Sequence, residues 1–105
     1  MNERMAILVG GGPAPGINSV IAAATIRARL RGVEVLGIFD GFERLMAGDT
    51  SCAEPLEIDR VSRIHVLGGS VLRTSRANPT ADPDAVKSVV ATLRRLGVSM
   101  LLTIG

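Results

Sequence analysis

The chain has 105 residues, 47% of them hydrophobic, and a formal net charge of +2 from 12 Lys and Arg against 10 Asp and Glu. That is one domain at most, with enough apolar material for a core, and the small charge with dispersed arginines gives no argument for a nucleic-acid partner. A lone Cys52 and a lone His65 exclude an internal disulfide and a metal cluster built on either, and no apolar run reaches membrane-spanning length.

Acidic Glu3 and an apolar run that breaks at glycine do not make a secretory leader, so a cytoplasmic protein is expected. Residues 5–9, Met-Ala-Ile-Leu-Val, form a continuous apolar run that predicts a strand covered on both faces. The run meets Gly10, Gly11 and Gly12, then a Pro-Ala-Pro-Gly corner, then a helix-length segment. Strand, glycine turn and helix are the form in which many α/β proteins hold phosphate. Backbone without Cβ lets a ligand approach closely, and the helix start offers unpaired N–H groups and the positive end of its dipole. Pro13 and Pro15 remove two donors, which leaves the amides of Gly11, Gly12, Ala14 or Gly16. The spacing is neither Gly-x-Gly-x-x-Gly nor a loop ending in Gly-Lys-Ser/Thr. A turn that only packs helix against strand is the alternative.

Ile17, Val20, Ile21, Ala24 and Ala28 recur at helical spacing and predict a helix over 17–31, with Asn18 or Ser19 as its cap. Arg27, Arg29 and Arg31 suit its C-terminal dipole and read as a solvated end, and Gly32 stops it. Residues 33–39 predict a second strand closed by Asp40-Gly41, which completes a right-handed βαβ unit. Residues 42–46 have helical spacing, 47–51 read as a loop, and 54–58, with Pro55, as an edge strand. Asp59 is placed to cap a short helix through Val61, Ile64 and Leu67 that Gly68-Gly69 ends. His65 on it reads as a packing or surface residue.

Residues 70–80 are polar and irregular, with Arg73 and Arg76. A guanidinium on such a loop can fork onto a phosphate, or simply be solvated. Asp82-Pro83 starts another helix, whose apolar face is Val86, Val89, Val90, Leu93 and Leu96 before Gly97 stops it. Residues 98–104 read as a buried-type strand. The expected fold is three-layer α/β/α, with a parallel sheet from 5–9, 33–39 and 98–104 flanked by helices 17–31 and 83–96.

Four stretches occur in order: Ile-Leu-Val-Gly-Gly-Gly-Pro-Ala-Pro-Gly-Ile-Asn (7–18), Val-Leu-Gly-Ile-Phe-Asp-Gly-Phe (35–42), Gly-Gly-Ser-Val-Leu-Arg-Thr-Ser-Arg (68–76) and Leu-Leu-Thr-Ile-Gly (101–105). Together they resemble the N-terminal part of a 6-phosphofructokinase over essentially the whole chain. The resemblance implies that residues 1–105 are a partial donor-binding domain of that fold. It implies phosphoryl transfer from ATP, or from diphosphate in one branch, to the 1-hydroxyl of fructose 6-phosphate with Mg²⁺, in glycolysis. By position, Gly11 and Gly12 match the loop that meets the donor phosphates, and Arg76 matches an arginine that contacts the donor. Phe42 and Ala77 match positions beside the nucleotide in ATP users.

Pro13 stands where the common turn has aspartate, and Gly-Gly-Pro-Ala-Pro-Gly is similar to the diphosphate-using branch. Ala22 and Ile26 stand where allosteric bacterial members carry effector arginines, whereas Arg60 matches another arginine of that site, as its remnant. In the family the catalytic base and the Mg²⁺ ligand follow the position of Gly105, so the chain by itself is expected to be inactive, with no catalytic or metal residue in this segment. The expected partners are fructose 6-phosphate and diphosphate or ATP, without nucleic acid or membrane, and full-length members are homo-oligomeric. An ATP-dependent enzyme, a non-catalytic phosphate-binding module and a poorly folding remnant are the alternatives.

Overall fold

In a computed structural model, which describes residues 3–12, 15–64 and 70–105, the first apolar run forms β1 (Arg4–Val9). Helix α1 (Ile17–Leu30) carries the chain back to β2 (Glu34–Ile38), parallel to β1 with Ile7 opposite Gly37. On the other side of β1 lies β4 (Met100–Ile104), also parallel, with Val9 opposite Ile104. The short strand β3 (Ala53–Pro55) pairs antiparallel with β2, giving the order β3-β2-β1-β4. The sheet is therefore parallel where that was expected and mixed at one edge. The link from β2 to β3 contains only the one-turn helix α2 (Glu43–Met46), and the chain doubles back along β2.

Side chains on β1 alternate between two cores, as a period of two requires. Ile7 and Val9 pack with Ile17 and Ile21 of α1, Val35 and Val61, the last from α3 (Ile58–Val61). Ala6 and Leu8 pack on the opposite face with Ile38, Leu45, Cys52 and Val89, the last from α4 (Pro83–Arg95). Both faces of β1 are thus covered, and each fully buried Ile or Leu there contributes about 1.5–3 kcal/mol. Among the described residues no helix is long and apolar enough to cross a membrane.

Several local expectations need correction. Helix α1 begins from Gly16 in left-handed conformation (φ 84) with no side-chain cap. Asn18 lies inside the helix, buried, and its Oδ1 accepts the Val71 N–H at 2.9 Å. The N-cap of α3 is Glu57, so Asp59 sits in the first turn without capping. The rest of that predicted helix, with His65, Leu67 and Gly68-Gly69, lies outside the described residues. Arg29 is not simply solvated: its Nε donates to the Leu56 carbonyl at 3.0 Å and its Nη2 to Glu57 at 2.7 Å. Asp82 does cap α4, accepting the Asp84 N–H at 3.0 Å.

The apolar face of α4 is only partly covered. Val89 is buried, but Val86 and Val90 are 39% and 41% exposed, and Thr92 takes a core position with its hydroxyl 3.0 Å from the Leu45 carbonyl. Met100 and Leu101 of β4 are also exposed. The reason is topological: β4 is an edge strand with β1 as its partner. Apolar sequence alone does not tell an edge from a centre.

Candidate functional site

The parallel strands β1, β2 and β4 point the same way, so their C-terminal ends open on one side of the sheet, where ligands of open α/β sheets collect. A hollow of ≈ 380 Å³ lies there, lined by Gly10, Gly11, Phe42, Ser75, Arg76, Ala77, Asn78 and Gly105. Gly10 and Gly11 follow β1, Phe42 follows β2 and Gly105 follows β4. The chain segment after residue 70 closes the remaining side.

That segment is tied down at successive points. Val71 donates to Asn18 in α1, and the Leu72 carbonyl accepts the Asp40 N–H at 3.0 Å. Ser75 forms an isolated parallel bridge with Gly10, and its carbonyl accepts the Gly11 N–H at 2.9 Å. Its hydroxyl accepts the Ala77 N–H at 3.0 Å. Gly41 makes this approach feasible. It has φ +57, and a Cβ there would lie 2.9 Å from the Val9 carbonyl oxygen and 3.2 Å from the Ser75 N. Only glycine tolerates both at once.

Gly11, Phe42, Arg76 and Ala77 therefore come together in one hollow, and Gly12 adjoins it: a Cβ on Gly12 would sit 3.0 Å from the Arg76 Nη2. One proposed contact changes. The Gly11 amide is occupied by the Ser75 carbonyl, so Gly11 lines the hollow while its N–H is already used. Ala14 lies outside the described residues. Arg60 is not part of the hollow; it pairs with Glu54 at 2.6 Å.

The two loop arginines have different environments. Arg73 is engaged with Asp40, its Nε donating to Oδ1 at 2.7 Å and its Nη2 to Oδ2 at 2.9 Å. Arg44 of α2 donates to the same carboxylate at 2.8 Å and also lies 3.3 Å from Asp49. The hydrogen bonds from Arg73, then those from Arg44, hold the Asp40 carboxyl down at about 2 against an ordinary 3.8. Arg76 is exposed and, among the described residues, pairs with no carboxylate. No acidic residue occupies the first turn of α1 either. An arginine without a carboxylate partner among the described residues, Cβ-free backbone and a helix start with no acidic residue are features that suit an anion.

Among the described residues no Asp, Glu, His or Cys lines the hollow, and Cys52 is buried elsewhere, its thiol pushed up by desolvation. Mg²⁺ is a hard cation that asks for oxygen ligands, chiefly carboxylates. Among the described residues no three His, Cys, Asp or Glu gather as a metal cluster, and those lining the hollow include no carboxylate. Sequence reasoning missed Asn18, Asp40 and Ser75 as builders of the site. Asp40-Gly41 was legible as a turn, but the partners of all three lie far along the chain.

Residues 4–105 match the family model described as Phosphofructokinase. A pyrophosphate–fructose 6-phosphate 1-phosphotransferase of Thermotoga maritima is 55% identical over 105 residues, which are 100% of this chain and 25% of that protein. One from Naegleria fowleri is 54% identical, over 96% of this chain and 23% of its own length. An ATP-dependent 6-phosphofructokinase of Halalkalibacterium halodurans is 33% identical, over 98% of this chain and 31% of its own. The chain thus spans about a quarter of the length of the Thermotoga and Naegleria relatives. The fold recurs in phosphofructokinase from Pichia pastoris in the T-state, with TM-score 0.89 at 22% identity over 98% of this chain and 11% of that one.

Proposed function

The chain belongs to the phosphofructokinase family, and from that premise we propose that it forms the donor-phosphate half of a diphosphate-dependent enzyme. The reaction is transfer of a phosphoryl group from diphosphate to the 1-hydroxyl of fructose 6-phosphate. The observation that carries this reading is the Arg76 guanidinium beside Gly12, which among the described residues has no carboxylate partner and lines a hollow without a carboxylate. Such a guanidinium binds the donor anion and spreads the charge that develops on the transferring group. The Gly12 backbone, free of a Cβ, allows the phosphate to come close. Identities of 55% and 54% to relatives named for diphosphate, against 33% to one named for ATP, support diphosphate as donor.

A second reading, ATP as donor, has Phe42 and Ala77 in its favour, since both line the same hollow and an apolar ring suits a nucleobase. Under either reading these 105 residues by themselves bind donor without transferring phosphate, because among the described residues neither a base nor a carboxylate lines the hollow. A cytoplasmic homo-oligomer is part of the same proposal.

Calorimetric titration with inorganic diphosphate and with ATP tests the reading. Diphosphate should bind, weakly, and more tightly than ATP; Arg76→Ala should lose about 1.5–3 kcal/mol, roughly tenfold or more in affinity. Absence of diphosphate binding by the unaltered chain would contradict it. A coupled assay on the same material should show no turnover above background, and turnover would overturn the non-catalytic part.

A further inference from the structure

The loop that carries Arg76 is anchored at a point that donor chemistry does not explain. Asp40 (φ 64) and Arg73 (φ 58) are the non-glycine residues with left-handed backbone among those described. That conformation is uncommon for Asp and unfavourable for Arg. Here the two strained residues face each other across a two-pronged ion pair of 2.7 and 2.9 Å. The Arg73 guanidinium also lies 4.9 Å from the centre of the Phe39 ring, and the Asp40 N–H donates to the Leu72 carbonyl. Backbone strain of this kind persists only where the surroundings over-determine it, and it gathers where geometry matters.

We propose that the Asp40–Arg73 pair is a strap that fixes the loop 70–78 over the glycine turn, making both of them positioning residues for Arg76. The physical path is short. Arg73 and Leu72 are held to Asp40 on β2's turn, Ser75 then meets Gly10 and Gly11, and Arg76 follows beside Gly12. Released at Asp40, the loop lifts at Ser75, and the guanidinium loses its place over the hollow. The purpose of the strap rests on the donor-site reading, but its existence can be judged without any ligand.

Two neighbouring amides make the judgement possible. The Gly10 N–H is held by the Ile104 carbonyl of β4 at 2.8 Å, whereas the Gly11 N–H is held by the loop, through Ser75. Amide hydrogen exchange by NMR is compared for the unaltered chain, Asp40→Asn, Arg73→Ala and Arg73→Lys. Asn removes the charge yet tolerates left-handed backbone, so Asp40→Asn adds no new strain. The Gly11 and Ala77 amides should exchange about tenfold faster in Asp40→Asn and Arg73→Ala, with Gly10 within about twofold of its original rate. Arg73→Lys should fall between, because an ammonium is a point charge without the planar fork that spans both carboxylate oxygens. Diphosphate affinity should fall in the same order. Unchanged exchange at Gly11, or equal acceleration of Gly10 and Gly11, would overturn the strap, the latter because it marks general loss of stability. If the unaltered chain does not bind diphosphate, the donor-site reading fails while the Gly10–Gly11 contrast still decides the strap.

Discussion

Arg73 and Arg76 stand on one loop, yet the stretch around Arg73 is locked and the stretch around Arg76 is open. Arg73 meets Asp40 twice and lies over Phe39; Arg76 has no carboxylate partner among the described residues. Two chemically identical side chains thus have different surroundings, and the proposal gives one the task of holding the site and the other that of serving it. The difference comes from what lies opposite: an aspartate on the β2 turn for one, backbone without side chains for the other. On the proposed reading, the Arg76 guanidinium keeps its charge available to an anion while its neighbour's ion pair keeps it in place.

The comparison breaks most completely at Gly41, which both stretches depend on. A Gly41→Val variant must hold φ near +57 and place a Cβ 2.9 Å from the Val9 carbonyl oxygen. Strain at such a position costs of order 1–3 kcal/mol, and each kcal/mol lowers the melting temperature of a domain this size by about 4–8 °C. Thermal unfolding followed by circular dichroism should show a drop in that range, with loss of diphosphate binding. A melting temperature within a degree or so of the original would mean that the loop and turn do not meet as described.

How far the sequence foretells this division is instructive. The elements β1, α1, β2, α4 and β4 were legible, because apolar runs and helical spacing write them locally, and their ends shift by only a residue or two. That the glycine turn and Arg76 come together was expected from residue chemistry and resemblance, and they do adjoin one hollow. What stayed hidden depends on partners distant in the chain. Composition could not say which loop arginine was spoken for, since Asp40 approaches only once β2 and the loop are in place. Asn18 read as a cap because Asn is good at caps, whereas tertiary contact with Val71 uses it inside the helix. The exposure of Met100 and Leu101 follows from strand order, which no single strand encodes.

Acid should separate the two stretches by a smaller amount. The folded-state pKa of Asp40 is lowered to about 2 from 3.8, so its contribution is fully present above the ordinary value and is lost as pH falls through about 2. The charged groups facing it are Arg73 and Arg44, and Arg44 in turn faces Asp49, whose own carboxyl is held down chiefly by Ser51. For partly exposed pairs the loss should be about 1 kcal/mol between pH 4 and pH 2. In Asp40→Asn that loss should shrink, as read by denaturant unfolding at each pH. An unaltered pH dependence in Asp40→Asn would remove Asp40 from the account.

The central claim, that the glycine turn and Arg76 form one anion site, is tested most directly at Gly12. A Cβ there would stand 3.0 Å from the Arg76 Nη2, so Gly12→Val both fills the approach and displaces the guanidinium. Calorimetric titration of inorganic diphosphate into the unaltered chain and Gly12→Val, with melting temperatures recorded beside it, is the decisive comparison. The account predicts binding by the former and none by the latter, at closely similar melting temperatures. Equal diphosphate affinity in the two proteins would contradict it and leave the turn a structural element alone.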